Sequence, residues 1–409
     1  MSFEFIENGS VTTPQGFKAA GVTAGFKRSG APDFAMVVSD TPAEFAGVFT
    51  SCTFAAAPVR LCQKRVLEND FLRAVIINSG NANACTGEQG MASAVKSCEI
   101  AAAALNISPE TVAVASTGRI GVQMDMTLIE KGVALSVAAL KSDAEAGNRA
   151  AEAIMTTDTV PKAGAVKLMI DGKCVTIGAM VKGAGMIDPN LKVPHATMIC
   201  VITTDAAITK SQLQKILGVN AENSFNRITV DGDMSTNDTV LILANGVSNV
   251  EIKPESAAEA AFSEALLALM QNLAKRMVLD GEGATKFVEI KVVNARTAED
   301  AKRAAEAVGN SLLCKTAWFG NDPNWGRVVA ALGYSGAQFV PEKCDIFFGD
   351  VPVVKNGGDA GTPEADLLST VKEREFTITC DFHDGDAEYW VWSSDVSYEY
   401  VKINADYHT

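Results

Sequence analysis

An α/β fold is predicted by the way apolar, β-rich runs alternate with Ala-rich stretches of helical length, and by the polar, glycine-bearing loops that separate them. A third observation sets the scale: with 47% hydrophobic residues, a chain of 409 can bury a sizeable core. Ala74 to Ile77 reads as a buried strand ending in the turn-prone loop Asn-Ser-Gly-Asn-Ala-Asn-Ala-Cys-Thr-Gly at 78–87. The pattern then predicts a helix from Glu88 to Leu105 and a strand from Thr111 to Ala115 that runs into Ser116-Thr-Gly-Arg-Ile-Gly121. Met126 to Met155 is largely helical with a break near Gly147. Strands follow at Ala165 to Ile170, Cys174 to Val181 and Met198 to Ile202, with a long irregular segment before the last. Helices return at Lys210 to Leu217 and Glu255 to Val278, then a strand at Lys286 to Val293, a helix at Ala298 to Val308 and a β-rich C-terminus. There is no fixed-period repeat and no Pro/Ser-rich linker, so the best candidate junction is the one near Thr197, which divides the chain almost in half.

Composition narrows the function. A net charge of −14 argues against nucleic acid or an anionic membrane as the main partner, because both require clustered cations, and leaves a small molecule or a protein. Glu4 and Glu7 stand where a signal peptide would be basic, and the richest helical stretch, Ala260 to Val278, is interrupted by Glu264, Lys275 and Arg276. A soluble, cytoplasmic protein is expected. The nine cysteines are scattered without a C-x-x-C pair, which suggests reduced thiols and no zinc site.

Only three histidines are present, at 195, 383 and 408, a poor supply for Ser-His-Asp catalysis or a His-rich metal site. One alternative is an N-terminal nucleophile, in which a Ser or Thr hydroxyl is activated by its own freed α-amine, whose ordinary pKa of ~7.7–8.0 suits proton transfer near neutrality. Lys182-Gly-Ala-Gly-Met-Ile-Asp-Pro-Asn-Leu-Lys-Val-Pro-His-Ala-Thr-Met198 could supply one. Gly183 and Gly185 allow close backbone approach, and the small Ala196 leaves room for the Thr197 hydroxyl to attack the preceding carbonyl. A Gly-rich turn entering a buried strand explains the same residues and, from this segment alone, is the simpler reading.

The wider set of motifs changes the balance. KGAGMIDPN and ATM around the Ala-Thr bond are accompanied by NSGNANACTG at 78–87, STGRIG at 116–121, MTTDT at 155–159 and TTDA at 203–206. The second half adds ITVDGDMSTNDT at 228–239, DGEGATK at 280–286, KTAWFGNDPNWGR at 315–327 and KINADYHT at 402–409. In this order, across nearly the whole chain, they resemble the ornithine acetyltransferase family, also called glutamate N-acetyltransferases. The resemblance implies mixed sheets sandwiched between helices in α/β/β/α layers. It also implies self-cleavage between Ala196 and Thr197 into an alpha chain, 1–196, and a beta chain, 197–409, assembled as α2β2. Thr197 would carry the acetyl group in a ping-pong transfer from N2-acetylornithine to glutamate, part of arginine biosynthesis. Thr117 and Gly118 would form the oxyanion hole, and Thr156, Lys182, Thr197, Glu282, Asn404 and Thr409 would bind substrate. Lys182 suits the α-carboxylate that both substrates carry, and Glu282 suits an ammonium. Read without the resemblance, Lys182 and Glu282 are ordinary solvated charges, and Thr117 and Gly118 a strand-to-helix turn.

No cofactor or metal is expected. Asp231 to Asn237 resembles the start of a calcium loop, but counted from Asp231 the sixth residue is Thr236 rather than Gly, and counted from Asp233 the twelfth is Ala244. Neither KGAGM nor GEGATK completes a phosphate-binding pattern. The family includes members that only recycle acetyl groups and bifunctional members that also use acetyl-CoA, and no feature of the sequence separates them. The chain departs from the family in two places. Leu191 to His195 stand where the usual motif has a single residue, and Arg119 where an aliphatic residue is common. A tolerated surface bulge explains the insertion, and His195 assisting or a longer loop hindering cleavage are the alternatives. Two other functions fit: a self-processing aminopeptidase or amidase that passes the acyl group to water, and an uncleaved, non-catalytic homologue.

Overall fold

The computed structural model describes residues 2–189 and 198–406. The expectations for Leu191 to His195, Ala196, Thr197 and Thr409 lie outside the described residues.

Among the described residues, nine strands form a large mixed sheet in the order Phe3–Ile6, Lys162–Ile170, Lys173–Lys182, Ile199–Thr204, Thr239–Ala244, Phe34–Phe49, Phe71–Asn81 and Val112–Arg119, with Phe17–Val22 paired beside Phe34–Phe49. Ile199–Thr204 and Thr239–Ala244 run parallel at its centre and are buried along their whole length, which is why they read as unbroken apolar and Thr-bearing runs rather than alternating ones.

Strand Phe34–Phe49 is long, and its register against Phe71–Asn81 shifts between Val38 and Ala43. This irregularity lets the sheet bend over on itself. Val37, Val75, Ile77, Ala113 and Ala115 from one arm pack in a single apolar cluster with Met180, Ile199, Val201, Leu241 and Leu243 from the other. The outer face of the first arm is covered by helices Gly87–Leu105 and Met126–Ala139, through Cys98, Ala101, Ile129 and Val133. The outer face of the second is covered by Lys210–Glu222 and Ala257–Leu279, through Leu213, Leu217, Leu266 and Leu273. Helix, sheet, sheet and helix follow in that order, the α/β/β/α layering expected.

A second sheet of seven strands follows the order Gly358–Asp359, Val351–Lys355, Asp345–Phe348, Glu375–Asp381, Phe287–Ala295, Ala387–Ser394 and Ile228–Thr229. One face is packed by helices Ala298–Asn310, Leu312–Phe319 and Trp325–Tyr334 through Val308, Trp318 and Val328. The C-terminal region is therefore not simply β-rich. The KTAWFGNDPNWGR segment runs from the end of helix Leu312–Phe319 through a turn into the start of helix Trp325–Tyr334, and the chain's last described element is the helix Tyr398–Asp406. Another correction concerns Met126 to Met155, whose break falls at Leu140–Asp143 rather than at Gly147. Lys141 there exchanges backbone hydrogen bonds with Ala19, and Asp143 caps the next helix by accepting from the Ala146 N–H. Gly147 sits inside that second helix, where its bare backbone meets Ser10 and Thr12.

The junction near Thr197 does not separate folded units. Ile199–Thr204 and Thr239–Ala244, from the second half, lie between Lys173–Lys182 and Phe34–Phe49 from the first. The C-terminal ends of Val112–Arg119 and Lys173–Lys182 and the start of Ile199–Thr204 meet at one cavity, and the site forms there.

Candidate active site

Strand Val112–Arg119 delivers Thr117 and Gly118 at its C-terminal end. Gly118 has φ of +129°, and a Cβ on it would lie 2.3 Å from the Gly80 carbonyl carbon on the neighbouring parallel strand, so only glycine fits. The turn is fixed by polar residues. Asn78 Nδ2 donates to the Asn81 carbonyl at 2.8 Å, and Asn78 Oδ1 accepts from Ser116 Oγ at 2.7 Å. Asn237 Nδ2 donates to the Ser116 carbonyl at 2.8 Å and to the Ala82 carbonyl, tying a second-half loop to the carbonyl just before Thr117. The wall continues through Ser235 and Thr236, anchored where the Ser235 carbonyl accepts from Thr50 Oγ1 at 2.7 Å and the Thr236 carbonyl accepts from the Ala56 N–H at 2.9 Å.

Lys182 ends strand Lys173–Lys182, is nearly buried, and pairs in register with Ile199. Glu282 sits in the loop after helix Ala257–Leu279, its N–H donating to the Ala184 carbonyl at 2.9 Å. Its carboxylate occupies the space left by Gly185, where a Cβ would lie 2.4 Å from Oε1. Asn404, on the C-terminal helix, donates to Glu282 Oε2 at 2.7 Å. Thr156 is held by its N–H donating to Asp158 Oδ2 at 3.0 Å. Burial alone would raise the Asp158 carboxyl, but nearby Lys182 and Lys162 hold it down at about 2, so it is ionised at any working pH.

These residues converge. Thr117, Gly118, Thr156, Lys182, Glu282 and Asn404 all line one cavity of about 110 Å³. Its remaining walls are Thr157, Gly185, the apolar Ala82, Ile120, Met186, Ile187, Met198 and Ile199, and the polar run Ser235 to Asp238. Of the expected site residues, Thr197 and Thr409 lie outside the described residues, and Met198, directly after Thr197, is in the wall. Arg119 points elsewhere, lining a neighbouring surface pocket with Arg28 and Asn81. Sequence reading missed Ser235 to Asp238. The segment is weighed there only as a calcium loop that fails, although its place among the ordered motifs, within ITVDGDMSTNDT at 228–239, was a signal.

Chemically, the cavity offers hydrogen-bond donors at a strand end, a cation, a carboxylate and a set of apolar side chains. This suits a small zwitterion and a developing oxyanion. Among the described residues no group of three or more His, Cys, Asp or Glu side chains is placed to hold a metal ion, and no helix is long and apolar enough to cross a membrane.

The sequence pattern of the ArgJ family matches residues 18–409. The chain belongs to the ArgJ family. It is 50% identical over 404 residues to the arginine biosynthesis bifunctional protein ArgJ of Symbiobacterium thermophilum, covering 98% of this chain and 99% of that one. It is 46% identical over 410 residues to the glutamate N-acetyltransferase of Methanocaldococcus jannaschii, covering 98% and 99%. Among solved structures it is similar to an ornithine acetyltransferase from Mycobacterium tuberculosis in complex with ornithine, at 44% identity and a TM-score of 0.44, covering 47% of this chain and 100% of that one. Membership of the ArgJ family makes the chain an acyltransferase of arginine biosynthesis.

Proposed function

We propose that the chain cuts itself between Ala196 and Thr197 and then moves an acetyl group from N2-acetylornithine to glutamate through an ester on Thr197. The observation that carries this reading is the convergence of Thr117, Gly118, Thr156, Lys182, Glu282 and Asn404 on one cavity that Met198 also lines.

In the first half-reaction the Thr197 hydroxyl oxygen attacks the acetyl carbonyl, and the freed Thr197 α-amine takes the hydroxyl proton. The oxyanion of the tetrahedral intermediate accepts hydrogen bonds from Thr117 Oγ1–H and the Gly118 N–H. The carbon–nitrogen bond then breaks, the α-amine returns its proton to the departing ornithine nitrogen, and acetyl-Thr197 remains. Glutamate's amine attacks this ester by the reverse sequence. Lys182 pairs with the α-carboxylate common to both substrates, Glu282 with the ammonium of ornithine, and Thr156, Asn404 and Thr409 complete the contacts. The apolar residues of the lining limit access of water, which favours transfer over the hydrolysis an amidase would perform. The proposal includes an alpha chain of 1–196 and a beta chain of 197–409, an α2β2 assembly, a cytoplasmic location and no cofactor.

Denaturing electrophoresis of the purified protein tests the first step. Two fragments of similar size are expected, one beginning at Thr197, and Thr197→Ala should leave an intact, inactive chain. Wild-type protein that stays intact yet transfers acetyl groups would refute the reading. Assay with acetyl-CoA in place of acetylornithine separates the two kinds of family member: N-acetylglutamate formed from it would establish a second donor.

A further inference from the structure

Outside the cavity lining, Lys162 is completely buried at the start of strand Lys162–Ile170. Its Nζ lies 2.7 Å from Asp158 Oδ1 and also donates to Asp280 Oδ2. Both carboxylates reach further. Asp158 Oδ1 accepts from the Gly183 N–H at 2.8 Å, directly after Lys182, and Asp158 Oδ2 accepts from the N–H of Thr156 at 3.0 Å. Asp280 accepts from the Thr159 N–H at 3.1 Å and from Thr159 Oγ1, and stands two residues before Glu282. One ammonium therefore joins the three segments that carry Thr156, Lys182 and Glu282.

Stability alone does not account for this arrangement. A buried ion pair adds little over well-packed apolar residues of the same volume, whereas its fixed geometry can specify how segments sit together. The charges are also arranged to a purpose. Lys162, which is not among the residues lining the cavity, ion-pairs with both carboxylates, while Lys182, which does line it, acts on Asp158 as a second nearby cation. Without Lys162, Asp158 and Asp280 would be left as two buried carboxylates, and Lys182 would be drawn toward them.

We propose that Lys162 is a positioning residue for the substrate: through Asp158 and Asp280 it sets the mutual placement of Thr156, Lys182 and Glu282 and leaves the Lys182 ammonium available to a substrate carboxylate. This rests on the substrate roles proposed above for those three residues.

The test is steady-state kinetics of acetyl transfer with Lys162→Met and Asp280→Asn, each checked for folding by thermal melting and for cleavage by electrophoresis. Both variants should cleave and raise KM for acetylornithine and glutamate, by on the order of tenfold or more for Lys162→Met and several-fold for Asp280→Asn, since small misplacements of binding groups have effects of that size. A purely structural role would lower the melting temperature and leave KM unmoved in the folded enzyme, and that result would overturn the proposal. If Lys162→Met does not fold, Asp280→Asn decides by the same criterion. Wild-type enzyme that shows no transfer at all would instead overturn the functional reading, and this one with it.

Discussion

Thr117 and Gly118 occupy adjacent positions at the end of one strand, yet they are constrained by different physics. Gly118 is fixed by sterics, because its positive φ and the Gly80 backbone against it exclude any side chain. Thr117 is constrained by chemistry, since its backbone tolerates other residues and its hydroxyl is what the proposed reaction needs. Thr117→Val should therefore leave the melting temperature almost unchanged while raising the barrier to transfer by about 2.7–4 kcal/mol, the usual cost of removing one oxyanion donor. Single-turnover acetylation of the enzyme measures this directly, and a valine variant with wild-type rates would remove Thr117 from the oxyanion hole. Lys182 and Glu282 were legible only through their motifs. A lone Lys at a strand end and a lone Glu in a glycine loop look like surface charges, and only the folded chain shows both nearly buried against one cavity.

Between elements, the decisive contacts are carboxylates that clamp loops. Asp231 accepts from the N–H groups of Met186 and Ile187 at 2.6 and 2.8 Å and so fixes the segment that leads toward the proposed cleavage point. One residue further along, Asp188 is half-buried and accepts from Asn310 Nδ2 at 3.4 Å, and desolvation raises its carboxyl from 3.8 to about 6, with Asp231 adding to the rise. The folded state thus binds more protons than the unfolded chain between about pH 4 and 6, so this group's contribution improves as pH falls through that window and is most unfavourable above it, by about 3 kcal/mol. Asp188→Asn should raise the urea midpoint at pH 7, and its advantage over wild type should shrink to nothing near pH 4. An advantage independent of pH would contradict this account. Such clamps were invisible in the sequence because their partners lie far apart along the chain. Where local pattern decides the outcome, as in helices Gly87–Leu105 and Ala298–Asn310, prediction and structure agree closely. It misplaced the break after Met126 because Gly147 is a stronger local signal than Lys141, whose pairing with Ala19 forms only in the fold.

For the whole molecule, the central feature is that a sheet is shared across the proposed cut. Strands Ile199–Thr204 and Thr239–Ala244 are bonded on both sides to strands of the first half, so separating the halves would expose a buried sheet centre. After cleavage the two fragments should co-elute in gel filtration without denaturant and part only on unfolding; fragments that separate under native conditions would contradict the shared sheet. The layering was legible only through the family resemblance, and the bend not at all, because the register shift at Val38 to Ala43 leaves no distinctive local pattern. The central claim is that Thr197 carries the acetyl group, and the most direct measurement is mass spectrometry of the enzyme after incubation with acetylornithine alone. The account predicts that the fragment beginning at Thr197 gains one acetyl group, located on Thr197, and loses it when glutamate is added. An acetyl group on another residue, or transfer to glutamate with no acetylated enzyme formed, would contradict it.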